Sequence, residues 1–248
     1  MSRTLEASEI HKYFGGVKAV QGVSLTLETA RIIGLIGPNG SGKSTLLNVI
    51  AGIEKPTKGT VTVDGRRVDG WPAHRMVELG VAKTHQIPKP FLGMTCRENV
   101  AVAMMYGSRR EGEPASALEE SRRILAMVGL DRRADAPASN LTVQERKRLE
   151  FARVLATGAG LVLLDEIFAG LSPDELRDAI ALFARVQKEQ GFGALVVEHV
   201  MRAVMILSDF VVVIEEGRKI AEGSPKEVVE DPAVIEAYLG SEATNVTP

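Results

Sequence analysis

A glycine-rich loop directly after an apolar run constrains this chain more than any other feature. Residues 37–44 read Gly-Pro-Asn-Gly-Ser-Gly-Lys-Ser and follow the apolar residues 32–36. They match the pattern G-x-x-x-x-G-K-[ST], in which the loop joins a buried strand to the start of a helix. The glycines let the backbone turn its N–H groups inward, and the helix N-terminus adds a partial positive charge. The sequence therefore predicts a loop that binds the phosphates of a nucleotide.

Two side chains of this loop have specific predicted roles. Lys43 is expected to reach the β- and γ-phosphates of ATP, and the Ser44 hydroxyl is expected to bind Mg²⁺. ATP and Mg²⁺ are therefore the expected cofactors. The predicted ATP contacts in the loop are Gly37, Pro38, Asn39, Gly40, Ser41, Gly42, Lys43, Ser44 and Thr45.

Short, almost unbroken apolar runs recur along the chain and predict its fold class. The runs occupy residues 31–37, 161–166, 194–199 and 210–217. Runs of this length without alternation are typical of strands buried on both faces of a parallel sheet. Helices are predicted between them, over residues 43–50, 142–156 and 174–189. Strands that alternate with helices indicate an α/β fold.

Three regions depart from this alternation. Residues 25–27 and 60–65 alternate between apolar and polar side chains, which predicts a short-stranded antiparallel β subdomain near the N-terminus. Residues 87–136 are helix-rich and punctuated by glycine and proline, so a helical subdomain is expected between two core strands, over about residues 87–157. Residues 225–248 are predicted to form a C-terminal helical extension that ends in a frayed tail from residue 241.

One apolar run ends in two acidic residues that are candidates for nucleotide hydrolysis. Asp165 and Glu166 close the run at residues 161–166, and ligands of open α/β sheets bind at the carboxyl ends of the strands. Asp165 is therefore the predicted Mg²⁺ ligand, and Glu166 is the predicted general base for the attacking water. Because successive strand residues point to opposite sides, the pair is expected to divide these tasks. Without a phosphate loop upstream, such a pair would more often be a solvated strand end.

Two further side chains are candidates because of where they lie relative to the strands. His199 ends the run at residues 194–199 and is a candidate sensor of the γ-phosphate that also orients the water. Gln86 lies where a core strand gives way to the helical region, and its amide is expected to contact Mg²⁺ or a water bound to it. The predicted catalytic residues are Glu166, His199, Lys43 and Gln86. The predicted Mg²⁺ contacts are Ser44, Gln86 and Asp165.

Charge and composition argue against nucleic-acid binding and membrane insertion. The net charge is −2 and the sequence pI is near 6.2, whereas nucleic-acid-binding proteins usually carry a basic excess. No apolar run approaches the ~20 residues of a membrane helix, and the N-terminus lacks the apolar segment of a signal peptide. Cys96 is the only cysteine, so no intrachain disulfide can form, which fits a reducing cytoplasm.

Clustered basic residues are expected to lie on solvated helix faces, because acids are interleaved with them. The pair at residues 109–110 is one such cluster. On the helix predicted over residues 142–156, an apolar side of Phe151, Val154 and Leu155 lies opposite a charged side. The charged side consists of Arg146, Lys147, Glu150 and Arg153.

The motifs together resemble those of ABC-type ATPases. The family's order and approximate spacing are matched over nearly the whole chain by the phosphate loop, Gln86, Leu141-Thr-Val-Gln-Glu145, Asp165-Glu166, Ala169-Gly-Leu-Ser172 and His199. The resemblance implies a P-loop NTPase fold of one domain, residues 1–248. In that fold an antiparallel β subdomain and an inserted helical subdomain flank a RecA-like core.

The resemblance also implies how ATP is bound. It implies that ATP lies between two copies arranged head to tail. Phe14 then falls at the position that stacks on adenine, with Tyr13 as the less favoured candidate. The residues implied to contact ATP bound to the opposite copy are Thr142, Val143, Gln144 and Glu145.

Finer features resemble the ATPases of branched-chain amino-acid uptake. These features are the segment Gln86-Ile-Pro-Lys-Pro-Phe91, the pair Met94-Thr95, the triplet Glu98-Asn99-Val100, and the ending over residues 222–240. The resemblance implies two integral membrane permease subunits, a second ABC ATPase of the same or another chain, and indirectly a periplasmic or extracellular substrate-binding protein. It implies a place on the cytoplasmic face of the cell membrane. Lipopolysaccharide export is the alternative transport role, and a non-transport ABC ATPase or an inactive nucleotide-binding regulator are further alternatives.

The segment at residues 141–145 departs from the family's usual Leu-Ser-Gly-Gly-Gln. Thr142 keeps a hydroxyl, but Val143 and Gln144 stand where both glycines are usual, and side chains there hinder close approach of a phosphate. Glu145 places a negative charge where like charges would repel a polyphosphate. Ile167 stands where proline commonly follows the catalytic acid. A site that uses this segment is expected to be slower than one with the usual signature, or the change is a tolerated variant.

Overall fold

The apolar runs form the centre of a six-stranded sheet in the computed structural model, which describes residues 2–108 and 114–243. The strand order is β10-β9-β3-β8-β7-β6, and only the β9–β10 pair is antiparallel. The α/β prediction is confirmed. The strands of this sheet are β3 (Ile32–Ile36), β6 (Val81–Lys83), β7 (Leu161–Asp165), β8 (Gly193–Val197), β9 (Phe210–Glu215) and β10 (Arg218–Gly223).

The pleat of the central strands divides their side chains between two apolar cores. In β7, Leu161 and Leu163 pack into the core beneath the N-terminal sheet, while Val162 and Leu164 pack against the helices. Each of these four residues is at most 1% exposed. Because both faces of the sheet are covered, its strands are apolar throughout rather than alternating.

An antiparallel sheet of order β2-β1-β4-β5 covers one face of the central sheet. Its first strand, of 11 residues, was not predicted from the sequence, and its second, of 12 residues, is longer than the predicted residues 25–27. Their pairing contains register shifts, among them one between Ala7 and Ile10, and each shift breaks the two-residue alternation that identifies a strand. The strands are β1 (Thr4–Phe14), β2 (Val17–Glu28), β4 (Lys58–Val63) and β5 (Arg66–Arg67).

Helices cover the other face, and the chain between β6 and β7 is largely helical. The helices α3, α4 and α5 of this segment pack on one another; the bounds 87–157 for a helical subdomain stay a prediction. The helices are α1 (Lys43–Ile50), α2 (Ala73–Glu78), α3 (Cys96–Met105), α4 (Pro114–Met127), α5 (Val143–Ala156), α6 (Pro173–Gln190), α7 (Met201–Leu207), α8 (Pro225–Glu230) and α9 (Pro232–Ala243).

Several helices begin at a capping box, in which a hydroxyl side chain and a glutamate three residues later satisfy each other's backbone N–H. The pairs are Thr95 with Glu98, Thr142 with Glu145, Ser172 with Glu175, and Ser224 with Glu227. At the C-terminus, α9 continues to Ala243, beyond the start of the predicted tail at residue 241. The rest of that predicted tail, residues 244–248, and the basic pair at 109–110 lie outside the described residues.

Candidate functional site

The phosphate loop lies between β3 and α1, where neighbouring backbone leaves room for glycine alone. A Cβ on Gly37 would lie 1.9 Å from the Ile214 carbonyl oxygen, and one on Gly42 would lie 2.2 Å from the Ala19 carbonyl oxygen. Both glycines have positive φ, of 149° and 100°. The loop is therefore fixed by close backbone contacts on two sides as well as by its own conformation.

Lys43 lies over the loop rather than in solvent. Its Nζ donates hydrogen bonds to the carbonyl oxygens of Gly37 and Pro38, at 2.7 and 2.8 Å. Burial lowers the pKa of Lys43, while the charges of Glu166 and Asp165 oppose that effect. A buried ammonium on the first residue of a helix is a site for an anion of high charge.

A cavity of about 520 Å³ opens in front of the loop. Its walls bring together parts of the chain that are far apart in sequence: the phosphate loop, the start of β2, and both Gln86 and Glu166. A second cavity, of about 500 Å³, lies between the loop and α9 and includes Pro38 in its wall. The loop residues that line the first cavity are Asn39, Gly40, Ser41, Gly42, Lys43, Ser44 and Thr45.

Asp165 ends β7 with its carboxylate turned toward the phosphate loop. Ser44 Oγ donates to its Oδ1 at 3.4 Å, and Lys83 Nζ donates to its Oδ2 at 3.0 Å. The backbone N–H of Asp165 donates to Thr84 Oγ1 at 3.0 Å. Sequence reasoning missed Lys83 and Thr84; their signal was their place at the carboxyl end of β6, the strand that pairs with β7.

Glu166 follows the strand and does not continue its pleat. Its φ is +52°, so the backbone turns here. The prediction that strand alternation points Asp165 and Glu166 to opposite sides is therefore wrong, because Glu166 lies outside the strand. Two predicted site residues lie beside the Glu166 carboxylate. Gln86 Nε2 donates to Oε2 at 2.8 Å, and His199 Nδ1 lies 3.8 Å from Oε1. Gln86 thus contacts Glu166, whereas contact with Mg²⁺ stays a prediction.

The segment that carries Gln86 is anchored to α5 by a charged cluster. Glu150 lies on the charged side of α5 but is only 5% exposed, because the chain around His85 covers it. His85 Nδ1 lies 2.8 Å from Glu150 Oε1, and Arg153 Nη1 donates to Oε2 at 2.7 Å and to the Lys89 carbonyl oxygen at 3.0 Å. Burial opposes ionisation, but these partners hold the pKa of Glu150 below its ordinary value.

The segment at residues 142–145 starts α5 and has local roles that the sequence did not reveal. Thr142 caps the helix, and Glu145 Oε2 accepts a hydrogen bond from the Thr142 N–H at 2.9 Å. Glu145 also pairs with Arg133 at 2.9 Å, and the Thr142 N–H is the main reason that the pKa of Glu145 is lowered. Val143 is 71% exposed. This segment does not line the phosphate-loop cavity of its own chain.

Phe14 lies on the N-terminal sheet and is 46% exposed. The ammonium of Lys12 lies 4.7 Å from the centre of its ring. Phe14 and Tyr13 are not among the described residues that line the phosphate-loop cavity, although the nearby Val17 and Lys18 are. Stacking of Phe14 on adenine therefore stays a prediction.

These features define the class of the protein. A phosphate loop with a buried lysine, a serine hydroxyl beside a strand-end aspartate, and a glutamate between an amide and an imidazole form the nucleotide site of a P-loop NTPase. Among the described residues, no helix is both long enough and apolar enough to cross a membrane.

Comparison with known proteins identifies the family. Residues 20–169 match the ABC transporter family model, and residues 218–244 match the model of the branched-chain amino acid ATP-binding cassette transporter. The chain therefore belongs to the ATP-binding subunits of the ABC transporter family and is a nucleotide-binding ATPase. The resemblance inferred from the motifs is confirmed.

Individual relatives match over almost their whole length. The chain is 38% identical to the high-affinity branched-chain amino acid transport ATP-binding protein BraF of Pseudomonas aeruginosa, over 97% of this chain and 99% of that protein. It is 36% identical to LivG of Escherichia coli K12, which has the same description, over 92% and 94%. A crystal structure of an ATP-binding cassette of an ABC transporter in its ADP conformation superposes with a TM-score of 0.85 at 31% identity, covering 96% of this chain and 99% of that one.

Proposed function

We propose that this chain is the ATP-hydrolysing subunit of an ABC importer for branched-chain or related amino acids. The class of transported substrate is inferred from the match of residues 218–244 to the model of the branched-chain amino acid ATP-binding cassette transporter. The observation that carries hydrolysis is the Glu166 carboxylate, which lies at the phosphate-loop cavity between Gln86 and His199.

In this proposal Glu166 is the general base. It accepts a proton from the water that attacks the γ-phosphorus, and ADP leaves as the bond to its β-phosphate oxygen breaks. Gln86 fixes one carboxylate oxygen by its hydrogen bond. His199 lies beside the other, where it is placed to orient the water or contact the γ-phosphate. Lys43 contributes positive charge to the β- and γ-phosphates.

The residues around Ser44 fit a magnesium ion. Mg²⁺ prefers oxygen ligands and is bound in NTP sites by one or two protein groups together with the phosphates. The Ser44 hydroxyl and an Asp165 carboxylate oxygen converge to 3.4 Å at the edge of the loop, so these two residues would hold the ion. When bound, the ion would neutralise negative charge on the phosphate oxygens.

We infer that two ATPase copies act together on two membrane permease subunits, with an external substrate-binding protein as an indirect partner. The segment around the exposed Val143 opens α5 and would face ATP bound to the second copy. Next to Gln86, the chain exposes the apolar side chains of Ile87, Phe91 and Leu92, at 74%, 44% and 50%. An apolar patch of this kind beside the nucleotide site suits a contact with permease subunits, on the cytoplasmic face of the membrane.

Transport in membrane vesicles tests both parts of the proposal. Vesicles that contain the transporter with the wild-type chain should accumulate labelled leucine, isoleucine or valine when ATP is supplied inside them, on the side of the membrane where the ATPase lies. Glu166→Gln should abolish both uptake and ATP turnover, whereas Glu189→Gln, at an exposed position of α6, should change neither. Full ATP turnover by Glu166→Gln would refute the assignment of the base. Turnover without uptake of any aliphatic amino acid would refute the substrate class.

The role of residues 141–145, the signature segment, is tested by Val143→Gly. If the second ATPase is another copy of this chain, this change should raise turnover, because it removes an exposed side chain from the phosphate-facing turn. Gln144→Gly is the less direct variant, since Gln144 also hydrogen-bonds Glu175. If the second ATPase is a different chain, one of the two sites uses the partner's signature, and the increase should appear only at the other.

A further inference from the structure

The loop that carries Glu166 is held by two ionisable side chains from other parts of the chain. This loop, residues 166–171, leads from the end of β7 to the cap of α6. Lys147 reaches it from α5, and Glu198 reaches it from the end of β8. The sequence analysis assigned no role to Glu198, and it expected Lys147 to lie on a solvated face.

Lys147 binds the loop at two carbonyl oxygens. Its Nζ donates to the Ala169 oxygen at 2.6 Å and to the Glu166 oxygen at 3.3 Å. The side chain is partly buried. Burial lowers the pKa of Lys147, and the negative charges of Glu198 and Glu166 oppose that effect. One ammonium thus bridges both ends of the turn that directs Glu166 into the site.

Glu198 binds the same turn at the backbone N–H of Phe168, which lies in sequence between Glu166 and Ala169. Its Oε1 accepts a hydrogen bond from the Phe168 N–H at 2.8 Å. The residue is 0% exposed. The Val200 N–H also acts on its carboxyl group, but Oε2 has no partner within hydrogen-bond distance among the described residues. A carboxyl group buried with one oxygen unpaired costs stability, so packing alone gives no reason for an acid at this position.

We propose that Lys147 and Glu198 are a positioning pair for ATP hydrolysis, which fix the backbone of the loop and thereby the Glu166 carboxylate. This rests on the proposed role of Glu166 as general base. A base must lie within hydrogen-bond reach of the proton that it accepts, and a displacement of about 1 Å can cost ~100-fold in rate. Three hydrogen bonds between these two side chains and the loop backbone restrict such displacement.

Substitutions that remove the contacts or conserve them test the pair in the full-length ATPase. Lys147→Met removes both carbonyl contacts, and Glu198→Leu removes the acceptor for Phe168 N–H. Each should lower kcat by ~10- to 100-fold and leave the dissociation constant of ATP within about twofold, because the phosphate loop is untouched. Lys147→Arg and Glu198→Gln keep a donor and an acceptor, respectively, and should restore most of kcat.

Controls separate a positioning role from a structural one. Lys188→Met and Glu189→Gln make the same kinds of change at exposed positions of α6 and should leave kcat unchanged. If Lys147→Met is too unstable to purify, Lys147→Gln serves instead, since its amide is too short to reach both carbonyl oxygens. Unchanged kcat in Lys147→Met, or a parallel loss of ATP affinity and melting temperature that Lys147→Arg does not restore, would overturn the pair.

Failure of this inference is distinguishable from failure of the proposed base. If Glu166→Gln abolishes turnover while the Lys147 and Glu198 variants turn over at the wild-type rate, Glu166 remains the base and only the positioning pair is refuted. If Glu166→Gln retains turnover, the base assignment is itself wrong.

Discussion

Ionisation of the buried Glu198 should make the stability of the protein depend on pH. Burial raises the pKa of Glu198 from 4.5 to about 7, and repulsion from Glu166 adds to this, while the Phe168 and Val200 N–H groups and the charge of Lys147 oppose it. One pKa unit corresponds to about 1.4 kcal/mol. The free-energy cost of ionising this carboxyl group in the folded protein is therefore about 3 kcal/mol.

The sign follows from which state binds the proton more tightly. Between about pH 4.5 and pH 7 the folded protein keeps the Glu198 proton while the unfolded chain has lost it, so this group makes the wild-type protein less stable as pH rises. Above pH 7 both states are ionised, and below pH 4.5 both are protonated, so the contribution is constant there. Glu198→Gln removes the titration. The stability of the variant relative to wild type should therefore increase by about 3 kcal/mol across this range.

Urea unfolding followed by circular dichroism at several pH values between about 5 and 8 measures this difference. The free energies of unfolding of wild type and Glu198→Gln should diverge as pH rises, whatever constant effect the amide itself has. Glu189→Gln, at an exposed position of α6, should give a profile parallel to wild type. If the Glu198→Gln profile were also parallel to wild type, Glu198 would titrate alike in both states, and the argument from burial would be refuted.

Three other substitutions should change the free energy of unfolding in urea. Gly37→Ala should cost about 2–3 kcal/mol and weaken ATP binding in a titration, because its Cβ would meet the Ile214 carbonyl oxygen at 1.9 Å. Glu150→Ala should cost about 3 kcal/mol, because it removes the carboxylate that pairs with Arg153. The side chain of Arg153 is only 20% exposed, so its charge would be left largely buried and unpaired. Thr142→Ala should cost about 1 kcal/mol, since it removes the cap of α5. If Thr142→Ala lowered the free energy of unfolding by less than a few tenths of a kcal/mol, the capping role would be contradicted.

The sequence predicts those parts of the fold whose cause is local. The helix α1 begins and ends where the sequence places it, because the phosphate loop sets its start. The buried strands β3, β7, β8 and β9 are visible as apolar runs, since both of their faces are covered. By contrast, β1 escapes detection because its register shifts interrupt the alternation. The direction of Glu166 is hidden for a similar reason, as it depends on one positive φ that no pattern marks.

The remaining parts of the site depend on contacts between distant segments. Glu150 and Lys147 lie on the polar side of an amphipathic helix, and helical periodicity assigns such residues to solvent. Only the fold shows that the segment around His85 and the loop after Glu166 cover that side. A charged helix face that touches backbone is indistinguishable, in one sequence, from one that touches water.

These buried contacts make α5 a mechanical link between the parts of the site. Its N-terminus is capped by Thr142, in the segment that would meet the second copy's ATP. Five residues further on, Lys147 holds the carbonyl oxygens of the Glu166 loop, and Glu150 then binds His85 beside Gln86. Side chains on one helix keep fixed relative positions, so a displacement of α5 must either carry both segments with it or break charge-assisted hydrogen bonds. If Glu166 is the general base, we therefore expect contact at residues 142–145 and placement of the Glu166 carboxylate to be coupled through α5.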